Sequence, residues 1–441
     1  MKKSKFLYLP IEVKPRELDA KLLIAAEACR KGYSVIIGAK ALNNLLQEGP
    51  KGIYFYKDAS APLVERFKSI NSLGHKIVIH DEEGLVQQSD DDYLKRRVMF
   101  DTIKHVQMFF CWGTHQAGLI SKAKKAFASD VIIKVTGHPR FDLLRTPLRS
   151  YNVAQKQTSS RTILINTKLA ECNHQRGENG WLDLLKSHHM LHSESCLPLR
   201  LEQIEYKKNL FNHYKELVKE LSTRYSVDKI VIRPHPSESI TTWQDLAASL
   251  QNVVVTKQHN IGYWLNRSDL VIHTGCTTAI EAYAAGLPVV TFKPVHDERF
   301  EIALPNQVSI VAQSTEQCVL LVGQLLSDAT GYLSREKEFT QILKPHIENI
   351  SGDFSYKKIV ETLDTLDIQP QSLSMVCRLN WWLRDLLSLF KKKLTGKTTA
   401  SQRDISAREV EDGLNKLCAE AQIAQPKVSR LKNNIYLLEP N

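Results

Sequence analysis

The sequence predicts an α/β protein of two doubly wound, parallel-sheet domains followed by a helical tail. From residue 5 onward, short β-branched or aromatic runs alternate with segments of helical spacing, the pattern of parallel strands joined by crossover helices. The series is interrupted by a polar stretch at 146–161 and then restarts. A chain of 441 residues is also too long for one ordinary core, so two domains and an appendage are the natural partition.

The elements follow in order. Residues 6–13 read as the first strand, 18–31 as an amphipathic helix and 34–38 as the second strand. Strands at 52–56, 76–80, 106–112 and 131–136 continue the series, with helical spacing at 61–73 and 115–127. Gly137-His138-Pro139-Arg140 punctuates the chain, and 146–161, rich in Ser, Thr, Gln and Arg, reads as a linker. The second series has strands at 161–166, 229–233, 253–256, 270–273 and 288–292. It also has a long helix at 201–224 and a short, small-residue-rich one at 278–285. The expected units are therefore 1–150, 161–365 and a basic helical tail at 370–441. In that tail Leu379, Trp382, Leu383, Leu386, Leu387 and Phe390 share one helical face, and Lys391, Lys392, Lys393 and Lys397 follow. Such a helix either lies on an anionic membrane surface or packs on the domains.

Composition narrows the function classes. Hydrophobic content of 43% and charged content of 24% are those of a folded globular chain. The net charge of +11 asks for an acidic partner: membrane lipid, nucleic acid, or a phosphorylated or acidic substrate. No nucleic-acid recognition module is visible, so nucleic acid is not the expected partner. The eight cysteines lack CxxC or zinc spacing, which reads as reduced cytosolic thiols and no metal site. Lys2, Lys3 and Lys5 precede an apolar run that Pro10 and Glu12 stop at once, unlike a signal peptide. No run reaches the ~18–20 apolar residues of a membrane span. The expected location is cytoplasmic, in solution or peripheral on the inner face of the cytoplasmic membrane.

Two motifs in the second half carry the strongest chemical signal. Arg233-Pro234-His235-Pro236-Ser237-Glu238 and His273-Thr274-Gly275-Cys276-Thr277-Thr278 each follow an apolar strand, at the edge where open α/β sheets bind ligands. Gly275 permits a close turn, and Thr277 and Thr278 present hydroxyl and N–H groups at a helix start, an anion site by geometry and dipole. Glu281, one turn inside, is placed for a ribose hydroxyl, while His235 and Arg233 are placed for a phosphate. A Thr-Thr helix cap alone is more often structural, but two such edges one β-α-β unit apart in the same domain favour a site.

These segments resemble the His-Pro and Ser/Thr motifs of GT-B transferases that use CMP-activated acidic sugars, among them bacterial sialyltransferases and capsule β-Kdo transferases. More broadly, the chain to about residue 365 resembles the bacterial surface carbohydrate biosynthesis protein family. The stretches that carry this likeness are LPIEVKPRELDAKLL, HDEEG, WGTHQ, TGHPRFDLL, ILINT, RPHPSE and IHTGCTTAIEA. The resemblance implies a GT-B-like fold, two Rossmann-like domains facing each other across a cleft. It also implies that His235, Thr277 and Thr278 hold the donor phosphate and Glu281 the ribose, with a nucleotide-sugar as substrate, no cofactor and no metal. One departure stands out: the loop opening the second domain reads Asn166-Thr167-Lys168, where the Kdo transferases carry an acidic residue, and its nearest carboxylate is Glu171.

In the first domain His80-Asp81-Glu82-Glu83-Gly84 follows a strand directly. Adjacent carboxylates repel unless something exploits them, and a protonated member is a ready general acid or base. Glu82 and Glu83 are favoured over Asp81, although an acidic run after a strand also suits a solvated turn. Lys14, Arg16 and Glu17, then Trp112, and then His138 and Arg140 follow other strands and are candidates for the acceptor side of a cleft. For Trp112 a sugar-stacking role and a buried packing role both remain open, and Asp142 reads as a helix cap. The expected activity is transfer of a sugar, with CMP-Kdo or a related CMP-acid as leading donor, onto a glycan or lipid-linked acceptor. The alternatives are an enzyme of the UDP-N-acetylglucosamine 2-epimerase type and a non-catalytic adaptor at the membrane.

Overall fold

The computed structural model describes residues 3–152, 160–187, 196–394 and 404–441. Part of the expected linker (153–159) and Lys397 lie outside the described residues, as do the side chains of Phe390, Lys391, Lys392 and Lys393. The strands run β1 (Phe6–Ile11), β2 (Ser34–Ala39), β3 (Gly52–Tyr56), β4 (Lys76–His80), β5 (Met108–Cys111), β6 (Ile132–Val135), β7 (Thr162–Asn166), β8 (Lys229–Arg233), β9 (Val253–Val255), β10 (Leu270–His273), β11 (Val289–Phe292), β12 (Ile310–Ala312), β13 (Lys427–Lys432) and β14 (Ile435–Glu439). They divide between two compact units, Met1–Tyr151 with Lys344–Asn441, and Asn152–Leu343. Among the described residues no helix is long and apolar enough to cross a membrane.

The first unit is built on a sheet of order β13-β14-β2-β1-β3-β4-β5-β6. Strands β1 to β6 pair in parallel. The first strand is buried at every position, which explains its unbroken apolar run: a parallel strand is covered on both faces. One face carries the helices Lys14–Arg30, Ser355–Leu363 and Ala407–Ala421, with Leu22, Leu23, Ile359, Leu414 and Leu417 in one core. The helix Lys14–Arg30 starts before the expected residue 18 because Pro15 sits in its first turn, where its missing N–H is harmless. The other face buries Phe67, Ile120 and Trp381.

The expected boundaries at 365 and 370 are corrected by this unit. Residues from Lys344 onward belong with the N-terminal half, and 370–441 is not a helical appendage. Its hairpin β13–β14 joins the sheet, β14 pairing antiparallel with β2 from Ile435 opposite Gly38 to Leu438 opposite Val35. The hairpin covers what would otherwise be a bare apolar edge. Asp142 caps a helix, as expected, but a distant one. Its buried carboxylate accepts the backbone N–H groups of Ser355 and Tyr356 at 3.0 and 2.9 Å and the amide of Asn349 at 2.6 Å.

The second unit has a six-stranded, all-parallel sheet of order β12-β11-β10-β7-β8-β9. Counted from β7, this is the dinucleotide-fold order 3-2-1-4-5-6 reversed, with its topological switch point between β7 and β10. In the first unit the strand order turns back between β1 and β3, which is the corresponding point there.

Candidate functional site

In the first unit the strand ends converge on Glu82. Beyond β1, the backbone N–H groups of Glu12 and Val13 both donate to the buried carboxylate of Glu17 at 3.0 Å, and Lys21 Nζ donates to it at 2.8 Å. The same ammonium donates to the Pro10 carbonyl at 2.6 Å and lies 3.9 Å from Glu82 Oε1. Burial opposes ionisation of Glu17, but Lys21 and these backbone donors overcome it and hold the group at about 2. Glu82, 5% exposed, thus faces a carboxylate that stays charged.

The other oxygen, Glu82 Oε2, is buried with no hydrogen-bond partner, and so is His138 Nε2, 3.5 Å away. His138 Nδ1 accepts the Arg140 backbone N–H at 3.2 Å, so the neutral ring carries its proton on Nε2, toward Glu82. The His138 ring is flanked by His80 and Trp112, with centroids 4.2 and 4.1 Å away. Burial, then His80 and the cations Arg140, Lys21 and Arg16, push His138 well below the usual imidazole range and keep it neutral. Burial and then the charge of Glu17 push Glu82 upward against Lys21, Arg16 and Arg140. The result is a carboxyl poised to exchange a proton, beside a neutral imidazole donor.

Its two neighbours in the acidic run have other partners. Asp81 is held by the Arg97 guanidinium, by the Tyr93 hydroxyl at 3.0 Å and by the Glu83 N–H at 2.9 Å. Glu83 pairs with Arg16 at 3.0 Å and Arg97 at 3.3 Å. Although burial works against it, these cations keep it ionised, at about 2. Arg97 therefore relieves the repulsion that makes the run conspicuous, and Glu82 is left without such a partner.

The remaining first-unit candidates separate. Arg140 stays with Glu82, whose backbone carbonyl its guanidinium meets at 3.5 Å, and lies over Trp112. Trp112 is buried and donates Nε1–H to the Asp81 carbonyl at 2.6 Å, so it packs behind the site and offers no face for stacking a sugar. Glu17 is buried and acts through Lys21 and the chain turn after β1, not as an acceptor contact. Lys14 is engaged elsewhere, by the Asp404 carbonyl at 2.7 Å and the Glu409 carboxylate at 2.8 Å. Gly137, at φ +74°, is required beside His138 because a Cβ there would run into Asn349, whose side chain accepts the His138 N–H at 2.9 Å and donates to its carbonyl at 3.0 Å.

In the second unit the loops after β7, β8 and β10 are stitched together. Asn166 Nδ2 donates to Thr278 Oγ1 and the Lys168 N–H to Thr274 Oγ1, both at 2.8 Å and both across the switch point. Gly275, at φ +81°, supplies the left-handed turn, and its N–H donates to His273 Nδ1 at 2.9 Å. Thr278 is buried and committed to Asn166, whereas Thr277 remains partly exposed at the start of the helix Thr278–Ala284. Glu281 is buried one turn inside that helix. The Arg233 guanidinium donates to the His259 carbonyl at 3.2 Å while its Nε is buried without a hydrogen-bond partner. The exposed His235 ring meets Ser237 Oγ at 2.6 Å.

Sequence reasoning missed two organisers. Glu238, fully buried, accepts the Thr167 hydroxyl and the Leu169 N–H at 3.0 Å, the His235 N–H at 3.1 Å and Trp243 Nε1–H at 3.2 Å, joining the β7 and β8 loops. Lys21 was legible as the i+4 partner of Glu17 on an otherwise apolar helix face.

No family model matches the chain, and no curated protein matches it. Solved structures match in fold. The wall teichoic acid polymerase TagF is similar at a TM-score of 0.54 and 9% identity, over 82% of this chain and 89% of that one. The same polymerase studied with CDPG gives 0.50 and 11%, over 82% and 87%. UDP-GlcNAc 2-epimerase from Neisseria meningitidis, bound to UDP-GlcNAc, gives 0.46 and 16%, over 82% and 100%. The chain is an α/β protein of two parallel-sheet, Rossmann-like units with a GT-B-like fold.

Proposed function

We propose that the chain is a glycosyltransferase that moves a sugar from a nucleotide-activated donor to a surface polysaccharide or lipid-linked acceptor. The observation that carries this reading is Glu82 beside His138. Glu82 is a carboxyl kept high by burial and by Glu17, with one oxygen unpartnered and an imidazole N–H 3.5 Å from it. In the reaction Glu82 takes the proton of an acceptor hydroxyl as that oxygen bonds to the anomeric carbon. The bond to the donor phosphate breaks, and the nucleotide leaves with its electron pair. His138, with Nε2–H 3.5 Å from Oε2, is placed to donate to the carboxylate as it forms and releases its proton. The second unit binds the donor at its switch point, where Thr277, the Gly275 turn and Arg233 offer donors to phosphate. A CMP-linked acidic sugar such as CMP-Kdo is the leading donor on the resemblance of the RPHP and Thr-Thr segments. The fold shared with a polymerase of wall teichoic acid supports a surface acceptor.

The test incubates the protein with CMP-, UDP-, GDP- and dTDP-sugars, with and without a bacterial glycan acceptor, and measures nucleotide release. Release should depend on acceptor, and Glu82→Gln should lower turnover by roughly 10²–10⁴-fold with donor binding retained. Near-native turnover in Glu82→Gln would sink the assignment. Conversion of a UDP-sugar without acceptor would assign the epimerase type instead.

A further inference from the structure

The helix Met375–Leu394 is amphipathic in the reverse of the usual sense. The side that packs on the first unit is narrow and follows one i, i+4 series: Cys377, Trp381 and Asp385. Trp381 is buried among the core residues, Cys377 Sγ meets the Glu48 carbonyl at 3.2 Å, and Asp385 accepts the Asn433 N–H at 3.0 Å and faces Arg430 at 3.4 Å. On the opposite side the helix presents Met375, Val376, Leu379, Trp382, Leu383 and Leu387 to solvent, from 44% exposed at Leu383 to 73% at Met375. A surface helix ordinarily turns its apolar stripe to the core. Here a polar-edged side is anchored and a contiguous apolar stripe is shown outward, the mark of an interaction surface.

We propose that this stripe seats the protein on an anionic lipid bilayer. Charge complementarity selects that occupant. The sequence continues on the same helix with Lys391, Lys392 and Lys393, whereas Arg378 and Arg384 beside the stripe already pair with Glu439 at 3.6 Å and Glu48 at 2.7 Å. Trp382, half exposed within the stripe, is the residue type that rests at the headgroup level. Apolar insertion and lysine attraction together supply the two signals that reversible attachment needs.

The experiment is flotation of the full chain with vesicles of phosphatidylcholine alone and of phosphatidylcholine mixed with phosphatidylglycerol. It needs no turnover, so it stands or falls apart from the proposed reaction. The unaltered protein should float with the anionic vesicles, and less so as salt rises. The variant Leu379→Glu with Trp382→Glu should stay at the bottom. Replacing Lys391, Lys392 and Lys393 by Gln should lower the partition about a hundredfold at low salt, each lysine being worth about fivefold. Because Leu379 and Trp382 are exposed, the double Glu variant should keep the wild-type thermal transition. Equal flotation of wild type and either variant, or equal binding to neutral vesicles, overturns the proposal. So does a lipid-free dimer that Leu379→Glu converts to a monomer, which would assign the stripe to a second copy.

Discussion

Glu82→Gln should stabilise the fold at neutral and alkaline pH while removing turnover. Glu82 Oε2 is buried without a hydrogen-bond partner, and a buried unsatisfied acceptor costs about 1–3 kcal/mol, more when charged. Glu17, held ionised, adds repulsion. Lys21 offsets part of this from 3.9 Å, but its ammonium is already shared between Glu17 at 2.8 Å and the Pro10 carbonyl at 2.6 Å. The neutral amide keeps the shape and loses the charge, so a gain of about 1–2 kcal/mol is expected near pH 8. The sign in pH follows from the upward shift. Above the ordinary glutamate range the folded chain retains a proton that the unfolded chain has released, so wild-type stability falls as pH rises through the folded-state value. Glutamine has no such slope. The variant's advantage should therefore be near zero in acid and grow to a plateau in alkali. Urea unfolding followed by tryptophan fluorescence between about pH 5 and pH 8 reads this directly. A variant less stable than wild type near pH 8, or a difference independent of pH, would show that the surrounding cations hold Glu82 ionised and would refute the reasoning.

Lys21→Met leaves two buried carboxylates without their shared cation and should cost about 3–5 kcal/mol in urea unfolding. Adding Glu82→Gln should recover part of that loss, and strict additivity of the two changes would disprove the coupling. Asp142→Ala strands two backbone N–H groups and the Asn349 amide, so a loss of about 3 kcal/mol or more is expected. A loss under about 1 kcal/mol would mean that the cap is dispensable. Thr277→Ala should weaken nucleotide binding about fivefold to tenfold, one hydrogen bond of about 1–1.5 kcal/mol, seen as a smaller thermal shift on adding CMP. An unchanged shift would remove Thr277 from the donor site.

The strands at 52–56, 76–80, 229–233 and 270–273 were legible to the residue because parallel strands covered on both faces must be unbroken apolar runs. The hairpin β13–β14 was not. Lys427–Lys432 is an edge strand with alternating, largely polar side chains, and its turn signal is only Asn433-Asn434, where Asn434 takes the left-handed φ of +61°. Within the candidate site the motifs HDEEG and GHPR were readable as strand-end punctuation. That they meet, His138 against Glu82, is a product of sheet order, since β4 and β6 are separated by β5 and the two residues stand 56 positions apart. Local pattern also could not show that Arg97 takes Asp81 and Glu83 out of contention, or that Trp112 turns its indole N–H inward.

The place of the last seventy residues changes what the basic helix can mean. Read as an appendage, it could be removed to test membrane attachment. The structure ties it in at several points. β14 pairs with β2, Leu414 and Leu417 of the helix Ala407–Ala421 enter the same core as Leu22 and Ile359, and Glu409 holds Lys14 at the first residue of the helix that carries Glu17 and Lys21. Ending the chain near residue 370 would bare an apolar sheet edge and open the core beneath that helix, disturbing the groups that set the charge of Glu82. Loss of activity after such a truncation would say nothing about lipid. The helix Met375–Leu394 is held by Trp381 and Asp385 on one side and shows its apolar residues on the other, so substitutions confined to the outer stripe are the ones that separate attachment from folding.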